Sequence, residues 1–288
     1  MLIYINGKFY PREEAKVSVF DHGYLYGDGI YETLRSYEGM VFKFEEHISR
    51  LFHSAEMMRM RLPLDKDGIM SSVHDTLRVN NLSDAYIRMS VSRGPGEIGL
   101  DPELCPEPTF VIIASQFHDY PTEFYEQGVN IAVVKTRRNH PLSINPAIKA
   151  TNFLNNIFAK IEAKEAGGFE GIMLNLDGFV AEGTISNIFF IKKGELCTPP
   201  VTAGILEGVT RDLVIKLAGG LGMQVSEELF DASGLKSADE VFITNTTLEI
   251  MPVRSIDGEA VGTGKPGEIT RKIGAAYKEE VRLCLKAR

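Results

Sequence analysis

The chain contains 288 residues with a formal net charge of −8, and 44% of them are hydrophobic. This length accommodates one large domain or two moderate ones, and the composition is that of an ordinary globular protein. The acidic balance argues against a nucleic-acid partner. The apolar stretches are shorter than the roughly 20 residues of a membrane helix, and the amino terminus lacks a signal-peptide pattern, so we expect a cytoplasmic protein with no membrane contact.

The first part of the chain carries the patterns of a small α+β domain. An apolar strand pattern ends at Asn6-Gly7, which is the strongest short hairpin signal. Apolar residues then recur at helical spacing, which predicts an amphipathic helix of about four turns. We place the domain over 1–116 and an interdomain linker over 117–126. The predicted elements are strands over 2–5, 85–92 and 109–115 and helices over 44–58 and 66–80.

The remainder, 127–288, is predicted to form a larger mixed α/β domain. Gly-containing turns separate its short β-rich pieces, and glycines follow its first helix. The predicted fold class is therefore a two-domain α+β or mixed α/β protein. The predicted strands cover 129–137, 171–176, 179–182, 187–192, 195–198, 240–244 and 248–253, and the predicted helices cover 151–166, 210–218 and 267–285.

Three familiar sequence patterns lack the context or the spacing that their usual function requires. Gly94, Gly96 and Gly99 satisfy GxGxxG after a strand, but LDPELCPEP follows where a dinucleotide-binding helix should begin. Gly264-Lys265 is followed by Pro, where a phosphate-binding P-loop requires Ser or Thr. The six histidines show no ligand spacing and the three cysteines match no disulfide or zinc pattern. We predict no metal site.

One lysine stands apart from the other charges. Lys149 is the only formally charged residue between Arg138 and Lys160, and its neighbours 146–150 are otherwise apolar. A lysine that reacts as a Schiff base must be neutral part of the time, and burial lowers its pKa toward that state. A surface lysine with its aliphatic stem along apolar residues has the same local sequence. The isolation alone leaves both interpretations open.

Five motifs in order resemble one family. Together they resemble the fold type IV pyridoxal-phosphate enzymes, which include branched-chain and D-amino-acid aminotransferases and aminodeoxychorismate lyase. The resemblance covers nearly the whole chain and implies the two-domain fold of that family, with pyridoxal 5′-phosphate as cofactor. It also implies a homodimer or a multiple of dimers, because the family completes its pocket across a twofold interface. The motifs are YGDGIYETLRSY at 26–37, IKATNFLNN at 148–156, VAEGTISNIFFI at 180–191, GILEGVTRDLVIKLA at 204–218 and VFITNTTLEIMPV at 241–253.

Carried over by position, the resemblance assigns the central roles to two residues. Lys149 matches the catalytic lysine that holds the cofactor as a Schiff base and moves the proton between the substrate Cα and the cofactor. Glu182 matches the carboxylate that pairs with the pyridine nitrogen and strengthens the electron sink. Without the family, Glu182 is only the end of a strand after a hairpin.

The resemblance also implies a phosphate site. Arg50 matches the phosphate-binding arginine of the first long helix, although an acidic residue four positions earlier also predicts an exposed ion pair. Val209 and Thr210 match a helix start whose N–H groups favour an anion, and a plain Thr N-cap is the alternative. Thr246 and Thr247 match a turn that contacts phosphate and substrate carboxylate, and a simple turn between strands is the alternative.

Four further residues match the substrate pocket of the family. Tyr86 and Arg88 lie two apart on a predicted strand and therefore share one face; they match the pair that shapes the carboxylate side in branched-chain enzymes. Tyr26 and Tyr31 match pocket-lining positions, although such tyrosines are more often packing residues. The implied reaction is transfer of the amino group of L-leucine, L-isoleucine or L-valine to 2-oxoglutarate, so that the partners are amino acids and 2-oxo acids.

The substrate assignment has two alternatives of the same fold. YGDGIYE and TNTT resemble the D-amino-acid aminotransferases, but those enzymes place Arg and His shortly after the position of Arg93-Gly94, where this chain has PGEIGLDPE. Phe153 stands where branched-chain enzymes present a tyrosine to the cofactor. We predict a branched-chain aminotransferase, with a D-amino-acid aminotransferase as the first alternative and aminodeoxychorismate lyase as the second. The role of Arg35 toward a dicarboxylate acceptor stays open.

Overall fold

Residues 1–287 are described by a computed structural model, and they divide into two units. The first unit contains Met1–His118 and Ile148–Asn152, and the second contains Asp119–Ala147 and Phe153–Lys286. The predicted boundaries assign 148–152 to the C-terminal domain, whereas these five residues group with the first unit. They group with the first unit because their backbone pairs with that of residues 29–31, including an antiparallel bridge between Ile30 and Ala150.

The first unit is built on one antiparallel sheet with helices on it. Within the described residues the strand order is β2-β1-β6-β5-β3-β4, where the strands are β1 Leu2–Ile5, β2 Lys8–Pro11, β3 Gly29–Tyr37, β4 Met40–Val41, β5 Ala85–Ser92 and β6 Thr109–Gln116. The helices are α1 His22–Tyr26, α2 Phe44–Met57 and α3 Lys66–Val79.

Local sequence signals account for most of this unit. Asn6 and Gly7 both have positive φ, 46° and 85°, as the predicted tight hairpin between β1 and β2 requires. The predicted helices over 44–58 and 66–80 are confirmed as α2 and α3, and Asp65 caps α3 by accepting the Gly68 N–H at 2.8 Å. The apolar side of α2 packs on the sheet in one core, where Ile48 and Leu51 are fully buried.

The second unit is built on a larger mixed sheet. Its strands are β7 Val129–Val133, β8 Glu170–Leu174, β9 Val180–Gly183, β10 Asn187–Lys192, β11 Glu195–Thr198, β12 Val225–Glu227, β13 Glu240–Asn245, β14 Glu249–Ile256 and β15 Glu259–Ala260. Its helices are α4 Thr122–Gln127, α5 Leu154–Glu165, α6 Val209–Gly220, α7 Ala232–Lys236 and α8 Glu268–Lys286.

In that sheet the order is β12-β11-β10-β13-β14-β7-β8-β9, with β15 beside β14. The pairs β11 with β12, β14 with β7 and β7 with β8 are parallel, and the other pairs are antiparallel. Helix α5 lies close to β8 because Gly171 has no side chain: a Cβ there would lie 2.9 Å from the Ala159 carbonyl oxygen.

Several boundaries differ from the sequence-based expectation, and three of the differences are informative. The predicted strand over 129–137 ends at Val133, because the carboxylate of Glu162 accepts the backbone N–H groups of Lys135 (2.6 Å) and Thr136 (3.2 Å) in place of a neighbouring strand. The predicted helix over 151–166 begins only at Leu154, and the predicted linker contains most of α4. None of the helices within 1–287 combines the length and apolar character needed to cross a bilayer.

The close approach of α5 to β8 can be tested with two glycine substitutions in the second unit. We expect Gly171→Ala to lower the free energy of unfolding by about 1–3 kcal/mol, because the new methyl group overpacks the helix contact. Gly219→Ala is the matched control: it lies in α6 with open space around it, and we expect stabilisation by about 1 kcal/mol. Urea titrations measure both, and a Gly171→Ala protein as stable as the wild type would contradict this packing.

Candidate active site

Lys149 is held by its backbone against two elements of the first unit. Its carbonyl accepts the Tyr31 N–H at 3.0 Å, and its own N–H donates to Ser54 Oγ on α2 at 3.2 Å. The flanking residues pair as well, since Ile30 and Ala150 form an antiparallel β-bridge. Lys149 is half-buried. Its main chain is therefore fixed, and motion of the amine is confined to the side chain.

The predicted pocket residues Tyr31 and Arg88 lie beside this lysine. Lys149 Nζ is 4.7 Å from the centroid of the Tyr31 ring, and Arg88 Cζ is 4.0 Å from the same centroid. Burial raises the pKa of the Tyr31 phenol, against the opposing charge of Arg88, so the hydroxyl stays protonated at neutral pH and is available as a donor. The structure thus brings three of the predicted residues together.

The register of the sheet extends this surface. Arg88 lies opposite both Thr33 and Ile113, and Tyr86 lies opposite Arg35. Directly opposed residues of neighbouring strands point to the same face. One face therefore carries Tyr86, Arg88 and the aliphatic Ile113 together.

Two other positions have contacts of their own. Arg35 is buried between the rings of Tyr37 and Phe117, with its Cζ 4.3 Å and 3.8 Å from their centroids. Tyr26 is exposed, and its hydroxyl accepts the Gly99 N–H at 3.2 Å. These contacts place Arg35 in an aromatic sandwich and Tyr26 against a glycine-rich loop.

Arg50 belongs to a buried charged cluster that the sequence did not predict. Its Nε and Nη2 donate to the two carboxylate oxygens of Glu32 at 2.7 Å and 2.8 Å, and His47 Nδ1 lies 2.8 Å from Glu32 Oε2. Glu32, rather than the acidic residue one turn earlier on the helix, is the partner of Arg50. The alternation of side chains along β3 could have predicted that Glu32 is buried, because it lies on the same face as the core residues Ile30 and Leu34.

In this cluster Glu32 and Arg50 are ionised, whereas the imidazole of His47 is neutral. Burial alone would raise the pKa of Glu32, but the Arg50 charge and the hydrogen bonds from Arg50 and His47 outweigh it and hold the pKa well below its usual range. Burial lowers the pKa of His47 despite the pull of Glu32, so His47 is neutral and donates through Nδ1–H. Glu32 thereby orients the guanidinium of Arg50 with two parallel hydrogen bonds.

In the second unit, Glu182 is a buried carboxylate at the end of β9. Its Oε1 accepts from Arg138 Nε at 2.7 Å, and its Oε2 accepts the Leu206 N–H at 3.0 Å and an Asn187 Nδ2 contact at 3.5 Å. Only 5% of Glu182 is exposed. Glu182 is therefore not a solvated strand end, and its partners Arg138 and Asn187 were not predicted from the sequence.

Helix α6 starts with its amide groups uncapped by any side chain. Its N-cap is Gly208, which makes no side-chain cap bond, so the alternative of Thr210 as N-cap is wrong. A Cβ at position 208 would collide with Asn187 Oδ1, which explains the glycine. The N–H groups of Val209 and Thr210 lie in the first turn, where backbone donors and the helix dipole favour an anion.

The turn that contains Thr246 and Thr247 is held by Asn245. The Asn245 Oδ1 accepts the N–H groups of Thr247 (2.9 Å) and Leu248 (2.8 Å), and its Nδ2 donates to the Ile185 carbonyl at 3.0 Å. This side-chain turn is a known use of asparagine, but its link to Ile185 could not be anticipated from spacing.

These groups suit the functional parts of pyridoxal 5′-phosphate. Its aldehyde requires an amine with a fixed backbone, which Lys149 provides, and its phosphate requires an arginine or helix-start amides, which Arg50 and α6 provide. Its ring nitrogen requires a carboxylate, which Glu182 provides in a buried position beside Arg138. Across 1–287, no cluster of three or more potential metal-ligating side chains occurs.

Comparison with known proteins places the chain among aminotransferases. Residues 29–256 match the family model described as amino-transferase class IV. A putative branched-chain-amino-acid aminotransferase of Methanocaldococcus jannaschii is 49% identical over 97% of this chain and 96% of its own length. The crystal structure of the Escherichia coli branched-chain amino acid aminotransferase has a TM-score of 0.93 at 38% identity, covering 96% of this chain and 93% of that one. The branched-chain amino acid aminotransferase from Thermobaculum terrenum, solved in its PLP form, has a TM-score of 0.87 at 32% identity, with 97% and 93% coverage.

The role of Glu32 in the first unit can be tested by removing its charge. We expect Glu32→Gln to lower the free energy of unfolding by about 3–5 kcal/mol at pH 7.5, because it leaves the largely buried Arg50 without its counter-charge. The matched control is Glu107→Gln, which breaks an ion pair that is exposed on both sides, with Arg61, and should cost at most about 1 kcal/mol.

The same pair of proteins tests the sign of the pH dependence. Because the pKa of Glu32 is depressed in the folded state, its contribution is complete above the ordinary value of 4.5 and declines as the pH falls below it. The difference in unfolding free energy between wild type and Glu32→Gln should therefore narrow below pH 4.5. Urea titrations at pH 7.5 and pH 4 measure it; a difference that widens in acid would refute the assigned charge state.

Proposed function

We propose, starting from the fact that this chain belongs to the amino-transferase class IV family, that it transfers the amino group of L-branched-chain amino acids to 2-oxoglutarate with pyridoxal 5′-phosphate as cofactor. The observation that carries the proposal is the setting of Lys149, whose backbone is bound to β3 and α2 and whose amine lies over the same ring as Arg88. Relatives of this family named for branched-chain amino acids support the substrate class.

The residues assigned to the cofactor by the family resemblance have distinct proposed roles. When bound, pyridoxal phosphate supplies an electron sink for the negative charge that develops at the substrate Cα. Lys149 anchors the aldehyde and, once displaced by substrate, takes and returns the proton at Cα. Glu182 pairs with the ring nitrogen, while Arg50 and the first turn of α6 bind phosphate. The proposed cofactor ligands are Arg50, Lys149, Glu182, Val209, Thr210 and Thr246.

The proposed substrate site combines charge, hydroxyl groups and an aliphatic surface. Arg88 provides the cation for a carboxylate, and the phenol of Tyr31 provides a hydrogen-bond donor beside it. Ile113, opposite Arg88 on the same sheet face, gives this surface the aliphatic part that a branched side chain requires. The proposed substrate-binding residues are Tyr26, Tyr31, Tyr86, Arg88, Thr246 and Thr247.

We also propose a cytoplasmic homodimer or a multiple of dimers. Apolar side chains are exposed on both units, including Val19 (66%) and Tyr24 (71%) in the first and Leu154 (60%) and Phe158 (52%) on α5 in the second. Leu154 and Phe158 are neighbours at i,i+4 spacing on α5, and contiguous exposed apolar surface commonly marks a protein interface. Cys197 is a buried free thiol, which fits a reducing compartment.

Covalent trapping tests the cofactor assignment. We expect borohydride reduction of the pyridoxal-phosphate-loaded protein to fix one cofactor per chain on the peptide containing Lys149, and Lys149→Ala to abolish the adduct and lower kcat by at least about 10³-fold. Lys164→Ala, an exposed lysine in the last turn of α5, should retain both. An adduct on another lysine, read by peptide mass mapping, would sink the proposal.

A panel of amino acids tests the substrate class. We expect L-leucine, L-isoleucine and L-valine to convert the cofactor absorbance to that of the pyridoxamine form, and 2-oxoglutarate to restore it. Conversion by D-alanine and by no L-branched-chain amino acid would favour a D-amino-acid aminotransferase. Conversion by none of these compounds would favour aminodeoxychorismate lyase, which needs no keto-acid acceptor.

A further inference from the structure

We propose that Arg138 is a positioning residue that acts through Glu182 and keeps the shared proton on the ring nitrogen of the bound cofactor. The inference rests on the proposed function, because it requires Glu182 to pair with that nitrogen. It deepens that function by naming the group that sets the charge state of the carboxylate.

Arg138 and Glu182 form a buried ion pair. Arg138 Nε donates to Glu182 Oε1 at 2.7 Å, and both residues are more than nine-tenths buried. Replacing a buried ion pair with apolar residues is often neutral or stabilising, so such a pair is weak evidence of a role in stability. We therefore assign the pair to the chemistry of Glu182 and not to the stability of the fold.

Neighbouring residues of the second unit fix the position of Arg138. Its backbone N–H donates at 2.9 Å to the carbonyl of Leu174, the last residue of β8. Its Nη1 donates to Asn155 Oδ1 at 3.3 Å, and Asn155 Nδ2 donates in turn to the Arg137 carbonyl at 2.8 Å. Arg138 is therefore held both by its backbone N–H and by Nη1 of its guanidinium, and both contacts are with other residues of the second unit.

The other carboxylate oxygen of Glu182 also accepts hydrogen bonds from neighbouring donors. Glu182 Oε2 accepts the Leu206 N–H at 3.0 Å, and Asn187, which also lies against this oxygen, donates to the Leu206 carbonyl at 3.0 Å. Arg138 Nε, the Leu206 N–H and Asn187 Nδ2 all donate to the Glu182 carboxylate. Donors to the ionised form stabilise it, so the surroundings of Glu182 are those of a carboxylate rather than of a carboxylic acid.

The Glu182 carboxylate and the ring nitrogen of the bound cofactor compete for one proton. A buried carboxylate without a counter-charge favours its neutral form, because desolvation penalises the ion, whereas an adjacent cation favours the ion. An arginine retains its charge throughout the physiological range. With Arg138 present, Glu182 remains anionic and the ring nitrogen retains the proton; without it, the proton moves from nitrogen to a Glu182 oxygen. No other reactant is needed, and the electron sink weakens because the ring loses its positive charge.

The experiment compares the wild type with Arg138→Met, loaded with cofactor labelled with ¹⁵N in the ring. We expect the ¹⁵N resonance of the wild type to match protonated pyridoxal phosphate between pH 6 and pH 9, and that of Arg138→Met to move toward the unprotonated reference in the same buffer. We also expect the first half-reaction with L-leucine to slow by at least about tenfold, with the Lys149 adduct still formed.

Three further variants separate charge from structure. Arg137→Met removes the neighbouring exposed arginine and should behave as the wild type. Arg138→Lys keeps a cation beside Glu182 and should keep the nitrogen protonated. Arg138→Gln keeps a donor but removes the charge; it should reproduce the shift, and it replaces Arg138→Met if that variant does not fold.

The outcomes distinguish this inference from the function on which it rests. A wild type that traps no cofactor on Lys149 overturns both. A wild type that traps cofactor normally, together with a ring nitrogen that stays protonated in Arg138→Met or Arg138→Gln, overturns only the role of Arg138.

Discussion

The pairing of residues 148–152 with the edge of β3 is the constraint on which the site depends. The Ile30 to Ala150 bridge and the hydrogen bond from the Tyr31 N–H to the Lys149 carbonyl attach this short segment to the first unit. A lysine on a free loop would lose much conformational entropy on reaching a defined position, whereas Lys149 has lost that of its backbone already. The same pairing places its amine over the Tyr31 ring. A reactive amine that must leave and return to one position requires such a fixed origin.

Each unit also contains a buried carboxylate that is bound to an arginine. Glu32 binds Arg50 through two parallel hydrogen bonds in the first unit, and Glu182 binds Arg138 in the second. The two pairs have opposite consequences for a ligand. Glu32 orients a cation suited to a phosphate, while Arg138 maintains an anion suited to a protonated ring nitrogen. In both pairs, folding of the protein has already removed the charged groups from water. Binding of a ligand beside them therefore requires little further reorganisation of these side chains.

The elements that the sequence predicted well are those set by local pattern. Helix α2 follows from apolar residues that repeat every three or four positions, and the hairpin at Asn6-Gly7 follows from two residues that tolerate positive φ. The lysine that we propose as reactive could also be singled out, since its isolation is a local property and the motifs around it are long. The partners of the site could not. Arg138 and Glu182 are 44 residues apart, and Arg50 and Glu32 are 18 apart, so their meeting depends on the register of strands that no spacing rule encodes.

The errors in element boundaries have the same origin and coincide with the site. The strand predicted over 129–137 has suitable residues throughout, yet the Glu162 carboxylate takes the N–H groups of Lys135 and Thr136 and ends the ladder at Val133. That early end leaves Arg138 outside the strand, with its N–H on the Leu174 carbonyl and its side chain on Glu182. Local propensity and tertiary structure disagree most where a side chain must be delivered to a functional partner. The end of β7 at Val133 therefore coincides with the segment that delivers Arg138 to the Glu182 carboxylate.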